Sequence, residues 1–186
     1  MTKSMASIIL FMSSALAAHA QGKNNSLEGI PANQRIVTGG GLGLSFGNTM
    51  DFISVSPIIG YALTRRLVAG TGITYRYTKY KTLPPPNTFN DYAVNPFARF
   101  TVYNGIFLQA EYEYLSYEYY SGNEKSRQGF SSFMAGGGFM QPMGRNAAFF
   151  VLALYNFSYT ASSSLYTPYQ SPWVIRAGIT IGGISF

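Results

Sequence analysis

Between residues 104 and 122 the chain reads NGIFLQAEYEYLSYEYYSG, and its polar and apolar side chains alternate with a period of two. Successive side chains of an extended strand point to opposite faces, so this is a strand pattern. Gln109, Glu111 and Glu113 share one face, and Leu108, Ala110, Tyr112 and Tyr114 share the other. The same phase recurs along the chain. Leu67, Ala69, Thr71, Ile73, Tyr75 and Tyr77 oppose Gly70, Gly72, Thr74, Arg76 and Thr78. Val94, Ala98, Phe100 and Val102 oppose Asn95, Arg99 and Thr101, and Trp173, Ile175, Ala177, Ile179 and Ile181 oppose Arg176, Gly178 and Thr180. Small or charged residues collect on one side each time. In 128–140 and 147–159 the two faces are too alike to give a phase, and neither Phe149 nor Phe150 takes a side.

The pattern predicts eight extended segments, near 35–46, 51–63, 66–80, 92–103, 106–119, 128–140, 147–159 and 172–186, with no helix between them. They match or exceed the roughly 9–11 residues with which a tilted strand crosses a bilayer. The connections are sorted by length. Residues 64–65, 103–105 and 141–146 read as tight turns, whereas 81–91, 120–128 and 160–170 read as longer polar loops. Short periplasmic turns and longer extracellular loops are the arrangement of a membrane barrel, and a soluble sandwich has no reason to sort its loops by end. Aromatic residues gather at the same two levels. Tyr75, Tyr77, Tyr114, Tyr117, Tyr159 and Trp173 lie toward the long-loop end, and Tyr61, Phe100, Tyr103 and Phe107 near the tight turns, as two interfacial girdles would.

Composition agrees with a surface that does not all face water. Of 186 residues, 16% are aromatic and only 11% charged, against about a quarter charged in soluble domains. Beyond the N-terminus no apolar run is long enough for a spanning helix. The formal charge is +6 but the basic residues are scattered, so nothing points to nucleic acid. At the N-terminus, Lys3, the apolar ASIILFMSSALAA and Ala18-His19-Ala20 predict a signal peptide over 1–20 with cleavage before Gln21. The polar stretch 21–34 reads as a flexible lead, and 35–186 as one barrel domain.

The inventory for chemistry is short. There is no cysteine, and His19 in the signal segment is the sole histidine, which removes Ser-His-Asp and Cys-His nucleophiles and ordinary zinc or haem ligation from the mature chain. No cofactor and no enzymatic activity are expected. Glu111 and Glu113 lie side by side, roughly 7 Å apart at a rise of about 3.4 Å per residue, whereas a glycosidase pair flanks its sugar from opposite sides. A buried charge needs a partner. The expectation is therefore a lumen ion-pair network of Arg76, Arg99, Glu111, Glu113 and Arg176, with Arg99 nearly opposite Glu111 across the 104–105 turn. Gly39–Gly41, Gly136–Gly138 and Gly182–Gly183 complete no phosphate-binding motif and read as sites of curvature or close approach.

The segments GGGLGLSFG, VSPIIGYALTRRLVAGTGITYRY and IFLQAEYEYLSYEYY, with the eight alternating strands and terminal Phe186, resemble the small outer-membrane β-barrels of the OmpA/OmpX type. The resemblance spans 35–186 and implies an all-β, eight-stranded antiparallel transmembrane barrel of up-and-down topology in the outer membrane. It implies contact with outer-membrane lipid and lipopolysaccharide. It also implies a C-terminal signal, Ile184 and Phe186, read by the barrel-assembly machinery. That pair is out of phase with Ile179 and Ile181, which a bulge at Gly182–Gly183 would reconcile. The chain ends with its last strand, so no peptidoglycan-binding domain is expected to follow. Eight strands leave an interior just wide enough for side chains to fill. The expected function is accordingly structural, or that of an accessory subunit with a protein partner in an outer-membrane complex. The alternatives are a narrow gated pore and a soluble lipocalin-like carrier of an apolar ligand.

Overall fold

A computed structural model describes residues 27–46, 50–81, 88–121, 124–144, 146–160, 169 and 171–182. The strands are β1 (Ile36–Phe46), β2 (Met50–Ala62), β3 (Leu67–Tyr80), β4 (Thr88–Tyr103), β5 (Ile106–Ser121), β6 (Glu124–Pro142), β7 (Ala147–Asn156) and β8 (Trp173–Gly182). Each pairs antiparallel with its neighbour in sequence, and β1 closes on β8, giving an eight-stranded up-and-down barrel. This is the architecture that the alternation and the resemblance led us to expect. The predicted signal segment and the residues Ile184 and Phe186 lie outside the described residues. Gly182 adopts a φ of 77° at the position where the phase change was expected.

Local chemistry accounts for the tight end of the barrel. Asn104 (φ 37°) and Gly105 (φ 80°) form the two-residue β4–β5 turn, the Asn-Gly sequence that tolerates two successive positive φ values and so matches the twist of the strands. Across the stretch read as a flexible lead and the first residue of the predicted segment 35–46, residues 27–35 form a compact turn ending in a 3-10 helix, Ala32–Arg35. The Arg35 guanidinium donates to the carbonyls of Leu27 (3.2 Å) and Ile30 (2.8 Å), which draws the turn together at the entrance to β1.

At the other end the structure departs from the expectation. The predicted loop 120–128 is largely strand, because β5 runs to Ser121 and β6 begins at Glu124, with Ser121 opposite Glu124. β4 likewise starts at Thr88, within the predicted loop 81–91. These stretches are polar on both faces, so they lack the alternation that marks a strand in lipid. Ion pairs and hydrogen bonds hold them. Glu118 accepts from the backbone N–H of Asn90 (2.9 Å) and from Arg127 (2.9 Å), Asp91 accepts from the N–H of Glu118 (3.0 Å), and Arg127 donates to the carbonyl of Asn90 (2.7 Å).

The outer surface is apolar. Leu42, Ile59, Ile73, Val94, Leu108 and Ile175 all stand exposed on the outside of the wall. Above them Tyr75, Tyr114 and Trp173 are exposed, while Tyr77 is half-buried. Tyr155 stacks edge-on against both Trp173 (5.3 Å between centroids) and Phe157 (5.2 Å). Phe107 does not belong to the lower girdle. It shares the parity of Gln109, points inward and is 0% exposed.

Candidate functional site

The interior is divided lengthwise. β6 and β7, with Phe107 of β5, supply an apolar half, in which Met134, Met140, Phe150, Leu152 and Leu154 pack with that ring. That is why these two strands show no phase in the sequence, since both of their faces are apolar. The structure resolves the pair of phenylalanines: Phe150 faces in and Phe149 out. β3, β4, β5 and β8 supply the polar half. Gly136 and Gly138 of β6 leave the room in which the apolar half packs, since a Cβ on Gly138 would overlap the Phe107 ring and the Val151 carbonyl.

The polar half is organised around two carboxylates of β5. Glu111 and Glu113 are 3% and 0% exposed. Arg176, reaching across from β8, binds both, at 2.8 Å from Glu111 and 3.3 Å from Glu113. One guanidinium thus sits between two like charges that the strand geometry forces onto the same face. Neutral donors add to this pairing. Asn95 donates to Glu113 at 2.6 Å, Gln109 donates to Glu111 at 2.9 Å, and the Tyr169 hydroxyl donates to Glu113. Thr74 in turn donates to Asn95 (3.1 Å) and meets Ser56 (3.0 Å), extending the network across β4 and β3 to β2.

Arg99 is placed differently from the expectation. It does not pair with Glu111; its Nε donates to Gln109 at 2.8 Å, and Gln109 relays to Glu111. The cause is a register shift between Thr101 and Tyr103, which sets Arg99 opposite Gln109 and leaves Glu111 opposite Phe97. A bulge of this kind leaves no mark on the alternation that the sequence shows. The Arg99 guanidinium is stacked among Phe107 (4.5 Å to the centroid), Phe150 (4.9 Å) and Phe97 (5.6 Å). Arg76 faces the lumen beneath Tyr169, 5.5 Å from its ring centroid. Of the five residues expected in the network, the structure brings Glu111, Glu113 and Arg176 into direct contact. Tyr169, from the 160–170 connection, was not foreseen, because a single loop residue that turns into the lumen carries no periodic signal.

Side chains do not fill the middle of the lumen. A cavity of about 140 Å³ lies between Arg76 and Arg99. A smaller one of about 30 Å³ lies on the turn side, and Ile58, Phe97 and Arg99 border both. The expectation of a filled lumen fails here because the inward positions of β1, β2 and β3 are Gly41, Gly43, Ser54, Ser56 and Gly72, too small to fill it. Among the described residues no cluster of acidic or histidine side chains is arranged to hold a metal.

No family model and no curated protein matches the chain. Among solved structures it is similar to the N-terminal β-barrel domain of Pseudomonas aeruginosa OprF, at 16% identity, with a TM-score of 0.47, over 80% of this chain and 97% of that one.

Proposed function

We propose that this protein is a small outer-membrane β-barrel with a structural or accessory role and no catalytic one. The observation that carries the reading is the inversion of its polarity. Guanidinium and carboxylate groups lie inside, while aliphatic side chains cover the outside between two aromatic levels. In water an apolar exterior so continuous would drive association, since soluble monomers rarely expose apolar patches beyond a few hundred Å². In lipid the same surface is at home, and ring closure satisfies most of the backbone groups that hydrocarbon cannot. The charged interior argues equally against a carrier of an apolar ligand. Against catalysis stands the engagement of Glu111 and Glu113 by Arg176 and by neutral donors.

The accessory role rests on the outer end. There β4, β5 and β6 continue past the level of Tyr114 as a polar ribbon braced by Asn90, Asp91, Glu118 and Arg127. Such a ribbon offers a protein partner, or the phosphates of lipopolysaccharide, a stiff surface whose geometry is set before contact. Cell fractionation after expression of the full chain in a Gram-negative host tests the membrane assignment. The protein is expected in the outer-membrane fraction, resistant to carbonate extraction, and migrating faster in detergent gels before heating than after. Recovery from the periplasm as a soluble protein would refute it.

A further inference from the structure

We propose that the barrel wall opens sideways between β1 and β8, and that a single-chain amphiphile with an oxyanion head seats that head in the central cavity against Arg99. The inference rests on the membrane reading given above. Its first support is the seam itself. The β1–β8 ladder runs from Val37 opposite Gly182 to Gly41 opposite Gly178 and stops there. Both strands continue, β1 to Phe46 and β8 back to Trp173, without pairing to one another. The other seven seams are paired along most of the shorter strand of each pair. The unpaired stretch ends at Trp173, in the outer aromatic level, so it lies in the outer half of the lipid-facing band.

The second support is the wall of the 140 Å³ cavity. Most of its lining residues point into the barrel. Leu42, Ile175 and Ala177 point outward and yet border it, and all three belong to the two strands of the open seam. Leu42 and Ile175 are 66% and 75% exposed, so the mouth of the cavity lies between two aliphatic side chains turned to lipid. On β1 the inward positions at the mouth, Gly41 and Gly43, carry no side chain to block it. Along the axis, Arg76 beneath the Tyr169 ring lies on the outer side of the cavity, and Arg99 among its phenylalanines on the turn side. Unpaired backbone groups facing hydrocarbon are costly, and a cavity large enough for several waters gives those of the seam a polar neighbour.

The third support is a buried guanidinium of which one nitrogen is hydrogen-bonded. Arg99, Arg176, Glu111 and Glu113 all line the cavity. Arg176 holds both carboxylates. Arg99 is 6% exposed and uses only Nε, toward Gln109. Its two terminal nitrogens have no hydrogen-bond or ion-pair partner among the described residues, and the side chain borders the cavity. A guanidinium presented in this way fits a carboxylate or phosphate, with two parallel N–H donors for two oxygens. The cavity has room for such a head and not for a long chain, which would stay in the bilayer beyond Leu42 and Ile175.

The test uses the folded full-length barrel in phosphatidylcholine nanodiscs at alkaline pH, titrated with carboxyl-labelled dodecanoate and, separately, with labelled acetate. Dodecanoate is expected to bind saturably, one per barrel, above empty nanodiscs, and acetate at least tenfold more weakly. Two variants bear on the route and the site. Arg99→Gln should weaken dodecanoate at least tenfold. Leu42→Cys with Ala177→Cys, the next pair beyond Gly41 and Gly178 in the same register, should lose binding once mass spectrometry confirms the disulfide, and regain it on reduction. The chain has no other cysteine to interfere. Equal binding of acetate, with no effect of the disulfide, would identify a free anion entering by another route and overturn the portal. No saturable binding to a barrel that still shows its heat-dependent gel shift would overturn the site, whereas a chain that never enters the membrane would instead refute the assignment on which it rests.

Discussion

Arg176→Met is expected to destabilise the barrel by about 3–5 kcal/mol, the loss that follows when one partner of a buried ion pair is removed and the other stays charged. The effect should be at the upper end because two carboxylates, Glu111 and Glu113, lose the same guanidinium at once. Both are buried, and Asn95, Gln109 and Tyr169 supply neutral donors only. Glu111→Gln and Glu113→Gln introduced together in the Arg176→Met background should recover a large part of the loss, since no orphaned charge then remains. Urea unfolding in lipid vesicles measures each variant. A double-mutant cycle between Arg176 and Glu111 should show coupling well above about 0.5 kcal/mol, the scatter of independent sites. The cycle between Arg99 and Glu111 should show less, because those two meet only through Gln109. Additive losses at Arg176 and Glu111 would mean that the pair contributes nothing.

Leu108→Arg carries the second large effect. Leu108 lies on the outside of β5, between Tyr103 at the turn and Tyr112 above, and is exposed. A cation on the lipid face of a barrel costs about 2–4 kcal/mol at the midplane and about 0–1 kcal/mol near the interfaces. Leu108, opposite Phe100, lies between the two levels. The same substitution on the water-facing side of a soluble sheet would change stability by no more than about 0.5 kcal/mol. Leu108→Ser should be milder than Leu108→Arg in lipid, because it desolvates a hydroxyl and not a charge. Unfolding of the two variants and the parent in vesicles decides between the environments, and a near-zero effect of arginine would place Leu108 in water.

How much of this was legible in the sequence depended on where each strand puts its polar side chains. β3, β4, β5 and β8 carry small or charged residues on the inward face and aliphatic ones outside, so Thr74, Asn95, Glu111 and Arg176 could be assigned inward from period alone. β6 and β7 hid their phase because the interior they line is itself apolar; Phe149 and Phe150 differ only in which side of the wall they occupy. The outer parts of β4, β5 and β6 resembled loops because polar residues on both faces erase the alternation by which a strand is read. The site was legible as a set of residues and not as a set of pairs. Arg176 with Glu111 required the closure of β8 onto the far side of the lumen, and the Arg99–Gln109 contact required a bulge beside Val102. Tyr169 could not be found at all, since no local rule tells which residue of a polar connection folds back inside.

The central claim is that this chain spans a membrane with its long-strand end outside the cell, and cysteine labelling tests it most directly. The chain has no cysteine, so single substitutions report without background. Lys81, Glu124 and Thr160 are exposed at one end of the barrel, and Arg65 and Met143 at the other. With an impermeant maleimide added to intact cells, Lys81→Cys, Glu124→Cys and Thr160→Cys should be labelled at once. Arg65→Cys and Met143→Cys should react only after the outer membrane is permeabilised. Labelling of the second group alone in intact cells would invert the barrel, and labelling of neither group until the cells are opened would contradict a surface-exposed outer-membrane protein.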